Sequence, residues 1–77
     1  MREYKIYKTD LGYGICRRWK VGIIEDMWDI YAEQYLDAQN SWGGNKSAGK
    51  IFYTEESVVS ALVLQRIKDG KDRQDAD

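Results

Sequence analysis

The segment REYKIYKTD alternates: Tyr4 and Ile6 fall on one side, Lys5 and Tyr7 on the other. A period of two is that of a strand with one buried face. DLGYG follows and reads as a turn, with Gly12 and Gly14 as its punctuation. YGICRRWKVGII then alternates again. Tyr13, Ile15, Arg17, Trp19, Val21 and Ile23 share one side; Cys16, Arg18, Lys20 and Ile24 share the other. The two runs predict a hairpin whose second strand covers residues 13–23.

EDMWDIYAEQYLDAQN fits two periods. As a strand, Trp28, Ile30, Ala32 and Leu36 alternate with Asp29, Tyr31, Glu33, Tyr35 and Asp37. As a helix, Trp28, Tyr31, Ala32 and Tyr35 form a stripe, with Asp26 as N-cap. Helix propensity supports the second reading. The cleaner polar face, and a loop leading on to another strand, favour the first, and a strand is the expectation. NSWGGNKSAGK is a polar, glycine-rich loop, and KIFY a short strand.

TEESVVSALVLQRIKDG carries the plainest signals of a helix. Thr54 is placed to cap it, and Glu55 and Glu56 suit the positive end of its dipole. Tyr53 is positioned to staple onto Val58. Arg66 and Lys68 suit the negative end, and Gly70 offers a stop. Val59, Leu62, Val63 and Ile67 form the expected core stripe; Leu64 falls outside it. A helix apolar nearly all round is usually buried on more than one side, which marks Leu64 as a candidate for self-association. KDRQDAD has little to anchor it and is expected to fray.

The predicted fold is α+β: a small antiparallel sheet of three to four strands with one C-terminal helix packed on one face. Residues 1–70 form one compact domain, and 71–77 a polar tail. Tyr4, Ile6, Ile15, Trp19, Val21, Trp28, Ile30, Phe52, Leu62 and Val63 make the expected core.

GNKSAGK, Gly44 to Lys50, has the G-x-x-x-x-G-K spacing of a phosphate-binding loop. Its context is wrong. Ile51 stands where a Ser or Thr would hold magnesium. The helix expected from Thr54 starts too late to aim its N–H groups at a phosphate. A chain of 77 residues also cannot build the parallel sheet and flanking helices of such folds. The expected role is a hairpin loop, with glycines supplying positive φ angles.

The chain has no histidine and one cysteine. Zinc sites and the Ser-His and Cys-His nucleophile pairs are therefore not expected, nor is a cofactor or an intrachain disulfide. No apolar stretch reaches the length of a membrane span, and no secretory leader is evident. A reducing, cytoplasmic setting and a non-enzymatic role are the expectations. Cys16 beside Arg17 and Arg18 could be an activated thiol, but a small strand residue is the expected role.

Net charge is −1, unevenly spread. Residues 1–20 carry six Lys/Arg against two acids; residues 21–45 carry five acids and no base. Two candidate surfaces follow. Asp29, Tyr31, Glu33, Tyr35 and Asp37 form an acidic-aromatic row, with Trp42 as an anchor if its loop holds it outward. Such a row suits a basic patch on another protein. The alternative role is a solvated face paired with Lys5, Arg18 and Lys20 on neighbouring strands. The second surface is basic: Lys5, Arg17, Arg18 and Lys20 around Trp19, a composition suited to nucleic acid. Strand alternation would divide this set between two faces.

From Trp28 to Ile67 the order of strand, loop and GKIFYTEESVVSAL resembles the last two strands and helix of the AP2-type DNA-binding fold. That resemblance implies Arg and Trp on DNA-reading strands. Here the corresponding strand carries Asp29, Glu33 and Asp37, which repel DNA, so the function does not carry over. The expected function is a protein-binding module, specifically an inhibitor of the phage or mobile-element kind that covers a host effector's basic nucleic-acid-binding surface. A nucleic-acid-binding regulator and a self-associating subunit, a homodimer through Leu64, are the alternatives.

Overall fold

The computed structural model of the chain describes residues 2–24 and 28–76. It is an α+β fold: an open sheet of four antiparallel strands, in the order β1-β2-β3-β4, with one C-terminal helix. The strands are β1 (Glu3–Lys8), β2 (Tyr13–Ile24), β3 (Trp28–Leu36) and β4 (Trp42–Gly43); the helix α1 is Glu55–Ala76. The ambiguous segment is thus a strand. Asp26, weighed as a helix cap, lies outside the described residues.

Each turn is closed by side chains its sequence supplies. Between β1 and β2, the Thr9 hydroxyl accepts from Leu11 N at 3.2 Å and Gly12 N at 3.0 Å. Between β3 and β4, Asp37 Oδ1 accepts from Gln39 N at 3.0 Å and Ser41 N at 2.9 Å, and Asn40 takes the left-handed φ of 60°. At the helix start, Ser57 N donates to Thr54 Oγ1 at 3.1 Å, which is the expected cap.

Residues paired across a sheet share a face. Tyr4, Arg17 and Gln34 lie in one row, Ile6 and Ile15 in the next, and Trp19 faces Ala32. This is the side on which α1 packs. Ile15, Leu36, Phe52 and Val58 form the buried core, flanked by Tyr13, Trp42, Ala61 and Leu62. The helix stripe that meets the sheet is Val58, Ala61, Leu62, Gln65 and Asp69, each at least partly buried. Asp69 closes the far end with an ion pair to Arg2 at 2.6 Å.

Several expectations are corrected. The stripe is rotated from Val59–Leu62–Val63–Ile67, so Val59, Val63 and Ile67 are exposed. Tyr53 is exposed as well, and Phe52 meets Val58 in its place. KIFY forms no strand; Phe52 makes an isolated bridge to Tyr13, and Trp42–Gly43 supplies the fourth strand. Gly70 does not stop the helix, and the backbone of 71–76, expected to fray, continues it.

The largest correction concerns β2. Lys20 pairs with Tyr31 and Gly22 with Ile30, leaving Val21 as an extra residue at a bulge. One extra residue reverses the alternation. Ile23 therefore faces Asp29, on the side away from the helix. Beyond the bulge the sheet thins. β1 pairs β2 only as far as Arg18, and β4 pairs β3 only at Tyr35 and Leu36. Residues 19–24 and 28–34 form a two-stranded ribbon with no further strand alongside among the described residues. Val21, Trp28 and Ile30, expected in the core, are exposed there, Trp28 by 67%.

Candidate functional site

The sheet face opposite α1 is open, and it gathers most of the candidate residues. Its rows follow from the register: Glu3–Arg18–Glu33, then Lys5–Cys16–Tyr35, with Tyr7 beyond Lys5 and Lys20–Tyr31 toward the ribbon. Tyr7 and Tyr35 meet edge to face at 5.8 Å between ring centroids. Two glycines make room for Tyr7. A Cβ on Gly14 would fall inside its ring, and one on Gly49 would lie 2.6 Å from its hydroxyl.

Charge on this face is locally matched. Lys20 Nζ stands 3.1 Å from Asp29 Oδ1, and Arg18 Nε 3.7 Å from Glu3 Oε2. The Arg18 guanidinium lies 4.1 Å over the Tyr31 ring, and Lys46 Nζ 5.0 Å over that of Tyr7. Tyr35 donates from its hydroxyl to Glu33 Oε2 at 2.9 Å, and this bond raises the Tyr35 pKa, since the phenolate could not donate it.

The acidic-aromatic row is thus partly assembled. Asp29, Tyr31, Glu33 and Tyr35 share the open face. Asp37 is occupied in its turn, accepting two backbone N–H groups. Trp42 folds back: it packs against the core, edge-on to Tyr4 at 6.0 Å, with the Arg17 guanidinium 4.3 Å over its ring. The basic set is divided. Lys5, Arg18 and Lys20 share the open face. Arg17 is on the helix side, where its Nε and one terminal nitrogen donate to Gln34 Oε1 at 2.9 and 2.7 Å. Sequence reasoning missed Tyr7 and Lys46; the alternation of β1 puts Tyr7 beside Lys5, but only the fold brings Lys46 over it.

Cys16 sits half-buried in the middle of this face. Arg17 points away, and the thiol pKa is raised, first by burial and then by the Glu33 carboxylate. The geometry is that of an unactivated thiol.

GNKSAGK closes into one 3₁₀ turn over Lys46–Ala48, capped by Asn45, whose side chain accepts from Ser47 N at 3.0 Å. It returns to the sheet through Lys50 N, which donates to Leu36 O at 2.7 Å. The loop leads into no helix; α1 begins at Glu55. Its glycines do not take positive φ, Gly49 having φ −64°. Among the described residues no group of three or more His, Cys, Asp and Glu could hold a metal ion. No helix is long and apolar enough to cross a membrane. Comparison with protein-family models, curated proteins and solved structures gave no match.

Proposed function

We propose that the protein is a non-enzymatic module that binds another protein on the open face of its sheet. One observation carries this reading: no helix covers that face, and it presents Tyr7, Tyr31 and Tyr35 among near-balanced charge. Tyrosine offers large contact area with few rotatable bonds. Lys5, Arg18, Lys20 and Lys46 stand among Glu3, Asp29 and Glu33. Polyanions select net positive surfaces, whereas alternating charge suits a protein surface with pairs of its own.

The narrower reading, an inhibitor covering a basic nucleic-acid-binding groove, rests on Asp29, Glu33 and Asp37. It has less support, because Asp29 and Glu33 each have a donor within reach and Asp37 serves its turn. A second reading has a specific observation in its favour. Lys5, Arg18 and Lys20 share their face with the tyrosines, and a basic sheet with aromatics is a stacking platform for single-stranded nucleic acid.

The test is capture from the native host's lysate, with and without nuclease, comparing the wild type with Tyr31→Ser/Tyr35→Ser. A protein retained after nuclease by the wild type and lost by the variant is the expected result. Retention by both overturns the assignment to this face. Bound material lost on nuclease treatment, with affinity falling steeply in salt, replaces it with the nucleic-acid reading.

A further inference from the structure

The exposed apolar surface is concentrated. Of twelve large hydrophobic side chains exposed among the described residues, five lie on the ribbon: Val21, Ile23, Trp28, Ile30 and Tyr31. Four lie on the outer side of α1: Val59, Val63, Leu64 and Ile67. Ile6, Leu11 and Tyr53 are the scattered remainder. Single exposed apolar residues need no explanation, but contiguous patches do.

Both patches are poorly supported within one chain. A two-stranded ribbon is marginally stable in water on its own. This one lacks a neighbouring strand on either edge and lies beyond the buried cluster. Val59, Val63 and Ile67 recur every four residues, on the side of α1 turned from its packed stripe, with Leu64 beside them. The fully packed core is only Ile15, Leu36, Phe52 and Val58. Chains this small commonly add burial through a second subunit.

We infer that the protein forms a two-fold homodimer in which the ribbon of each copy lies on the outer face of the other copy's α1. Three observations select a second copy. The lengths match: Val59 to Ile67 spans roughly 12 Å of helix, and Trp28 to Ala32 roughly 13 Å of strand. The charges match, because the ribbon's Lys20 and Asp29 are already paired at 3.1 Å and leave nothing to attract a charged partner. The chain also carries both halves of the contact, and a two-fold axis satisfies both at once. Trp28 is the anchor: at 67% exposure it presents on the order of 100–170 Å². Pairing of β3 with β3 across an axis at Tyr31 is disfavoured, since it would set Asp29 against Glu33. The helix contact does not use Tyr7, Tyr35 or Lys5, so the inference stands apart from the proposed binding function.

Sedimentation equilibrium of the full chain alone tests it. The mass should approach twice 9.0 kDa as concentration rises through the micromolar range. Trp28→Lys and Val63→Glu should each weaken association by at least about tenfold. An equimolar mixture of the two variants should regain it, because one wild-type ribbon–helix contact survives and the other becomes a Lys–Glu pair. A wild type that stays at single-chain mass overturns the inference. So does a mixture that fails to associate, the expected result if ribbon pairs with ribbon and helix with helix. Circular dichroism checks folding, and Val21→Lys and Leu64→Glu replace any variant that fails it.

Discussion

β2 and β3 each pass through two different environments. In the body, β2 residues 13–18 and β3 residues 35–36 have strands on both sides and the core cluster on one face. In the ribbon, residues 19–24 and 28–34 have only each other. The compositions are alike: Ile15 and Leu36 in one part, Ile23 and Ile30 in the other. What separates them is reach. The packed stripe of α1 opens at Val58 beside the core and closes at Asp69 on Arg2, the residue before β1. Burial here is set by what lies over a strand, and the strand's own pattern does not determine that.

Truncation in the two parts should break this comparison most sharply. Leu36→Ala should cost about 2–5 kcal/mol, as a fully buried leucine that leaves a cavity. Trp28→Ala, a larger truncation, should cost less than about 1 kcal/mol in dilute solution, since its ring is mostly in water. Urea denaturation below the association range measures both; equal losses would show that the ribbon is part of the core.

Glycines sharpen it further. Gly14→Ala places a methyl group in the Tyr7 ring and should destabilise by about 1–3 kcal/mol. Gly22→Ala meets nothing within 4 Å and should be neutral or stabilise by roughly 0.5 kcal/mol, through lower unfolded-chain freedom. Thermal melts of the pair should move in opposite directions or, at the least, by very different amounts.

The smallest effect is chemical. The Cys16 pKa is raised by burial and by Glu33, so less thiolate is present at pH 8 than for a free cysteine. Alkylation should be slower than for an unstructured thiol, should speed up as pH rises, and should recover fully in urea. A rate equal to the free thiol's would mean that the body's open face is as wet as the ribbon.

The sequence made the strands, the helix cap and the α+β layout legible, because alternation, Thr54 and the Glu55–Glu56 pair are local signals. It also placed Asp29, Tyr31, Glu33 and Tyr35 on one face. Three things were out of reach. The bulge at Val21 leaves no mark in an apolar run, yet it reverses Ile23. The helix is apolar on several sides, so periodicity could not choose between Val58–Leu62 and Val59–Val63; Ile15 and Phe52 made that choice. Trp42 was undetermined because the residues that receive it, Tyr4 and Arg17, come from strands far away in sequence.

Strand order has one more consequence. Every strand neighbours the one before it in the chain, so the sheet can zip up by local hairpins with short loops to close. Val58 arrives after all four strands, and Ile15 and Leu36 wait for it with a bare apolar face. Helix docking is therefore the late step. Before it, the same chain is a solitary sheet with one greasy side, and the time spent in that state sets its tendency to aggregate during folding.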